Sequence, residues 1–175
     1  MLKVALLGCG RWGQNHLKVL ADFRDKGLVE HIIAVDISKE ARDASILADE
    51  TRPSIDGVEA DLVIIATPSN LHSEHSLKLI SEGYHVLVEK PLGCCESEAA
   101  QVIASARENG RILGVGLLLR FHPAVTLANH MINNGELGRL ESLRFVRRTT
   151  RSAPQVGNVI ESLGVHAIDL MSHFM

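Results

Sequence analysis

The chain has 175 residues, 46% of them apolar, and a net charge of -3. That length predicts one well-buried domain plus part of another, and the mild charge with one Trp, one Tyr and four Phe argues against a basic, base-stacking nucleic-acid surface. No apolar stretch approaches the ~18 residues of a membrane-spanning helix, the first strand begins with no room for a signal peptide, and three cysteines, two of them adjacent, suit reduced thiols in a cytoplasmic protein.

Val4-Ala5-Leu6-Leu7 is an uninterrupted apolar run of the kind that forms a buried parallel strand. It breaks into Gly8-Cys9-Gly10-Arg11-Trp12-Gly13, after which Leu17 and Leu20 share one face of a predicted helix. Strand, Gly-x-Gly-x-x-Gly and helix in succession form the layout of a dinucleotide-binding turn. In such a turn the first glycine allows the sharp bend and the second lets a pyrophosphate approach the backbone. The third lets helix and strand pack closely. The phosphates would sit on the N–H groups at the positive end of the helix. Arg11 and Trp12 fall inside this turn and join Gly8, Gly10 and Gly13 as candidate cofactor contacts, with Trp12 expected to pack over the cofactor edge or the helix. Gly27 is the predicted left-handed residue that closes the helix.

Ile32-Ile33-Ala34-Val35 then ends in Asp36, ~20 residues beyond the last glycine of the turn. A carboxylate there accepts hydrogen bonds from ribose hydroxyls and repels a 2′-phosphate, so NAD is the expected cofactor. Arg42 keeps NADP open, and a helix N-cap is the competing role for Asp36. Ser38 is the predicted cap of a helix over 39–50. Residues 51–60 read as a connection with a brief strand near 54–55. Leu62-Val63-Ile64-Ile65-Ala66 is the next buried strand, halting at Thr67-Pro68-Ser69-Asn70, and a helix over about 71–82 follows. His85-Val86-Leu87-Val88 forms a strand that runs into Glu89-Lys90-Pro91. A helix over 96–109, with Cys95 in the N-cap place, and a strand over 111–115 complete this part.

Short apolar runs alternating with amphipathic helices predict right-handed βαβ units and a doubly wound parallel sheet. Ligands of such sheets bind beyond the carboxyl ends of the strands. The glycine turn, Asp36, the segment from Thr67 to His72, and Glu89-Lys90-Pro91 all fall at that edge. Beyond Gly116 the texture changes to a predicted helix over 123–134, a strand over 140–150 and a helix over 159–175. A lone strand cannot complete a sheet, so this part is expected to be the start of a second α/β domain, cut off.

Gly8-Cys9-Gly10-Arg11-Trp12-Gly13, Ala66-Thr67-Pro68-Ser69-Asn70-Leu71-His72, Glu89-Lys90-Pro91-Leu92, Arg120-Phe121-His122-Pro123 and Gly164-Val165-His166-Ala167-Ile168-Asp169 resemble, in order and spacing, the glucose–fructose oxidoreductase, inositol dehydrogenase and rhizopine-catabolism family. The resemblance implies an N-terminal NAD-binding Rossmann domain, here 1–118. It also implies an α/β substrate and oligomerisation domain with an open sheet, of which 119–175 would be the incomplete start. It implies NAD(P)-dependent chemistry at a sugar or cyclitol carbon and a homo-dimer or homo-tetramer. Independently of the resemblance, His72 and His75 lack a third ligand, so no metal is expected, and the charge and apolar pattern predict no nucleic acid and no membrane.

Hydride transfer at a carbinol carbon needs a donor that stabilises the developing alkoxide and a group that takes or returns the hydroxyl proton. Lys90, at a strand's carboxyl end, resembles the family's hydroxyl-contacting lysine. His166 matches the family histidine and titrates near neutral pH. Thr67, Pro68, His72 and Glu89 would border the cofactor with Lys90. Arg120, read as the end of the last Rossmann strand, is a candidate substrate contact. Ser162 stands where inositol dehydrogenase-like members carry the Asp that completes a triad, which weakens support for an imidazolium at His166. A non-catalytic NAD(H)-binding sensor or regulatory module is therefore the competing reading.

Overall fold

The computed structural model describes residues 1–146, 148, 160 and 164–175. The chain divides into two compact units, Met1–Gly116 and Leu117–Met175.

The first unit is a six-stranded, wholly parallel sheet in the order β3-β2-β1-β4-β5-β6. Its strands are β1 (Leu2–Leu7), β2 (Val29–Val35), β3 (Glu50–Arg52), β4 (Leu62–Ile65), β5 (His85–Val88) and β6 (Leu113–Val115). The helices are α1 (Arg11–Asp25), α2 (Lys39–Asp43), α3 (His72–Ser81) and α4 (Glu96–Glu108), with a 3₁₀ turn, Ser69–Leu71, ahead of α3. The apolar runs are continuous because both faces of the sheet are covered, and the two-residue period of a strand sorts them between two cores. Val4, Leu6, Ile32, Ala34 and Ile64 face Leu17 and Leu20 of α1. Ala5, Ile33, Val35, Val63, Ile65, Val86 and Val88 pack with Leu79 and Ile80 of α3 and with Val102 and Ala106 of α4. Each Val, Leu or Ile among them contributes about 1.5–3 kcal/mol by leaving water.

Helix ends follow their local chemistry. Ser38 Oγ accepts from the Ala41 N–H at the start of α2, and Gly27, Gly83 and Gly110 take positive φ just beyond α1, α3 and α4. Cys95 occupies the N-cap position of α4 but makes no side-chain cap bond. The Glu98 carboxylate works there instead, accepting from the Cys94 N–H (2.8 Å) and from Ser73 Oγ (3.0 Å).

Two expectations for this unit shift. The helix expected over 39–50 stops at Asp43, and the strand expected near 54–55 lies earlier, at Glu50–Arg52. Ser45 Oγ turns back to donate to the Ala41 carbonyl. The Asp49 carboxylate accepts from the Ile32 N–H while the Asp49 N–H donates to the Ile32 carbonyl, so the chain has joined β2 before a longer helix could form. Ile55 is buried in the core without being in a strand.

The second unit holds a 3₁₀ turn, Leu118–Phe121, and the helices α5 (Pro123–Asn133) and α6 (Val165–Phe174). Pro123 sits in the first turn of α5, where its missing N–H costs nothing. The strand expected over 140–150 is not present in residues 140–146 or 148, and 147, 149 and 150 lie outside the described residues. No described partner takes up a ladder there, and unpaired strand backbone has no advantage over a solvated coil. The helix expected over 159–175 is described from Val165. Among the described residues no helix is long and apolar enough to cross a membrane.

Candidate functional site

In the first unit the predicted clusters meet where β1, β2, β4 and β5 end. Gly8 has φ +96°, and a Cβ on it would lie 2.7 Å from the Ala66 and Thr67 backbone, so only glycine lets the end of β4 come this close. Gly13, inside α1, would place a Cβ 2.1 Å from the Gly8 carbonyl oxygen. Gly10 differs, because a Cβ there would meet nothing within 4 Å. No contact within the protein requires glycine there. Gly10 is the N-cap of α1, with no side-chain cap and no acidic residue in the first turn. The positive end of a 15-residue helix is thus left to an outside anion, which fits the diphosphate of a dinucleotide. Arg11 and Trp12 flank this opening and are exposed. Beneath it the Cys9 thiol is buried, and burial pushes its pKa up.

The Asp36 carboxylate is fixed on two sides. Oδ2 accepts from the Cys9 N–H (2.7 Å) and Oδ1 from the Ser38 N–H (2.8 Å). The helix cap itself is Ser38, so capping is not the task of Asp36. Arg42, which kept a 2′-phosphate open, donates to the Asp36 and Ile37 carbonyls. A cleft of about 210 Å³ adjoins Asp36 between Val35, Pro53, His75 and Lys78.

Thr67 and Pro68 follow β4, Thr67 half-buried and Pro68 exposed. His72, expected among the cofactor contacts, is instead 2% exposed beneath this loop. Its Nδ1 lies 2.7 Å from the Pro91 carbonyl and its Nε2 2.9 Å from the Thr67 carbonyl. Carbonyl oxygens only accept, so whichever ring nitrogen carries the hydrogen donates to its carbonyl. Both ring nitrogens of His72 thus face backbone carbonyls. His75 bonds Thr67 Oγ1 through Nδ1 at 3.1 Å, and burial, opposed by Glu74, pushes its pKa down.

Glu89 is 8% exposed and bonded through Oε1 to His16 Nε2 at 2.9 Å. Burial acts to raise its pKa, but the His16 contact and the Lys90 N–H outweigh it and hold the carboxyl below its ordinary value. Gly116 gives this side chain room, since a Cβ there would sit 3.1 Å from Glu89 Oε2. Lys90 follows, half-buried, and the Lys90–Pro91 bond is cis. Sequence reasoning missed His16. Its one signal is its place on α1 beside the buried stripe of Gly13, Leu17 and Leu20, together with the need of a carboxylate at a buried strand's end for a partner.

In the second unit Arg120 does not end a strand; β6 stops at Val115, and Arg120 belongs to the 3₁₀ turn. Its Nε donates to Asp169 Oδ1 at 2.8 Å and its Nη2 to the same oxygen, which raises the guanidinium pKa further. His166 and Asp169 are both buried on one face of α6. Ser162 lies outside the described residues. Among the described residues no group of His, Cys, Asp and Glu is arranged to hold a metal ion.

A family model described as an oxidoreductase family with an NAD-binding Rossmann fold matches residues 2–117. Inositol 2-dehydrogenase 2 of Saccharopolyspora erythraea is 27% identical over 97% of this chain and 52% of its own length. D-glucoside 3-dehydrogenase of Escherichia coli is 25% identical over 96% and 52%. The solved structure of GenD2 from gentamicin A biosynthesis, in complex with NAD, superposes with a TM-score of 0.83 at 26% identity, covering 99% of this chain and 53% of that one. The chain thus spans about half the length of the curated relatives it matches.

Proposed function

Because the chain belongs to the oxidoreductase family with the NAD-binding Rossmann fold, we propose that the full-length protein passes a hydride between NAD and a hydroxyl- or keto-bearing carbon of a cyclitol or sugar. The observation that carries this reading is the sheet edge itself. An uncapped helix start with open space at Gly10, the oriented Asp36 carboxylate, and Lys90 all stand at the ends of neighbouring strands. The relatives named for inositol and D-glucoside dehydrogenation supply the substrate class.

NAD supplies hydride acceptance, and the chain's own residues do the rest. The α1 N-terminus with Gly8, Gly10, Arg11, Trp12 and Gly13 binds the diphosphate. Asp36 binds the ribose hydroxyls and disfavours a 2′-phosphate. Thr67, Pro68 and Glu89 border the cofactor. Lys90 donates to the reacting oxygen and stabilises alkoxide character. His166 takes the hydroxyl proton in oxidation and returns it in reduction, a role worth ~10²–10⁴ in rate. Arg120, braced by Asp169, and Ser162 contact substrate in the second domain, of which 119–175 is the start. The protein assembles as a homo-dimer or homo-tetramer.

The test is turnover with NAD across a panel of cyclitols and sugars by the full-length protein. Wild type is expected to reduce NAD with at least one of them, and Lys90→Met to lose about 10²–10³ in kcat, the size of removing one donor to a developing oxyanion. Unchanged kcat in Lys90→Met would remove the mechanism. Tight NADH binding with no turnover on the whole panel would favour the non-catalytic module.

A further inference from the structure

We propose that His16 and His72 are positioning residues for Lys90, a bracket that grips the Glu89-Lys90-Pro91 segment from two helices. The inference rests on the catalytic reading of Lys90 given above.

The segment needs such support. β5 ends at Val88, and the last ladder bonds run from the Glu89 N–H to the Ile65 carbonyl and from the Gly116 N–H to the Val88 carbonyl. α4 does not begin until Glu96, so Lys90 lies on a stretch that neither strand nor helix fixes. The residue before it is held by α1, where His16 Nε2 meets the buried Glu89 carboxylate at 2.9 Å. The residue after it is held by α3, where His72 Nδ1 meets the Pro91 carbonyl at 2.7 Å. The second nitrogen of His72 ties the same ring to the Thr67 carbonyl at 2.9 Å. Two histidines, 56 positions apart in sequence and on different helices, therefore clamp the two neighbours of one lysine.

The placement couples functions as well as backbone. α1 starts at the glycine turn and α3 follows the Thr67-Pro68 loop, so the bracket ties the lysine segment to both predicted cofactor-binding loops. A lysine side chain is long and flexible, so a held backbone narrows the positions open to its amine. A displacement of about 1 Å at a reacting group costs ~10²-fold in rate. Loss of one clamp should therefore lower kcat far more than cofactor affinity, because the glycine turn and Asp36, proposed to hold the diphosphate and ribose, form no hydrogen bond with either histidine ring.

The experiment uses the full-length protein, NADH as the binding probe, and whichever cyclitol or sugar of the panel wild type oxidises fastest. His16→Leu and His72→Leu are compared with wild type, with His16→Gln, whose amide can still donate to Glu89, and with Lys90→Met. The expected result is a kcat lowered about 10²-fold in each Leu variant, with the NADH Kd within about threefold of wild type and faster amide exchange confined to residues 89–93. His16→Gln should recover most of the kcat loss, which a general loss of stability would not predict. Unchanged kcat and unchanged exchange in both Leu variants would overturn the bracket. If Lys90→Met loses turnover while the histidine variants do not, the bracket fails and the role of Lys90 survives. If Lys90→Met turns over like wild type, the catalytic reading fails, and exchange at 89–93 alone decides whether the histidines hold the segment. Should His72→Leu not fold, His72→Asn, which keeps a donor near Pro91, takes its place in the comparison.

Discussion

Each glycine of the opening turn answers a different physical demand. Gly8 is required by its backbone angle and by the approach of β4, and Gly13 by contact with the Gly8 carbonyl, so both are already needed for folding. Gly13→Ala should lower stability by about 1–3 kcal/mol, the ordinary cost of overpacking, measured by urea denaturation. The place of Asp36 at the end of β2 was legible from spacing, because its distance from the glycine turn is set by one helix and one strand. Its hold on the Cys9 N–H, 27 residues away, was not. The His16–Glu89 contact spans 73 residues and follows no period, so nothing local in the sequence announces it. The burial of His72 and its two carbonyl partners were not legible, since they are tertiary facts. For the thiols, Cys9 is buried with a raised pKa while Cys94 and Cys95 are exposed. Iodoacetamide on the native protein at pH 8 should alkylate Cys94 and Cys95 and spare Cys9. Equal labelling of all three would contradict the packing beneath the turn.

At the scale of elements, the strands that read most clearly are those buried on both faces, where continuous apolar runs leave little choice. The helix stripe of Leu17 and Leu20 was equally legible, and both are buried against β1 and β2. Leu17→Ala should cost about 2–5 kcal/mol, the range for a fully buried leucine, seen as a lower urea midpoint with an unchanged slope. The misread elements are those decided by contacts outside their own sequence. α2 ends early because Asp49 is captured by β2, and the β-branched texture of 140–150 does not make a strand in 140–146 where no described neighbour pairs with it. Propensity proposes such elements, and long-range hydrogen bonds decide them.

For the whole molecule, the sheet places its two edges on strands of three residues each, β3 and β6, and short edges resist chain-to-chain pairing. Stability should carry a pH signature from His75. Its pKa is held below the ordinary 6.5 by burial, so the unfolded chain takes up a proton that the folded one refuses. Folding stability should accordingly fall as pH drops from about 6.5 toward the folded value, and His75→Gln should flatten that slope in pH-dependent urea titrations. A slope identical in the variant would contradict the burial of this ring beside Thr67.

Open space at Gly10, kept for the cofactor diphosphate, is the central feature of the proposed site. A Cβ at Gly10 meets no protein atom within 4 Å, so Gly10→Ala should fold with a stability change no larger than the ~1 kcal/mol of a poorer N-cap. The decisive measurement is an NADH fluorescence titration of wild type and Gly10→Ala in the full-length protein. Saturable binding by wild type and at least tenfold weaker binding by a fully folded Gly10→Ala is the predicted result. Equal NADH affinity in the two proteins would contradict it.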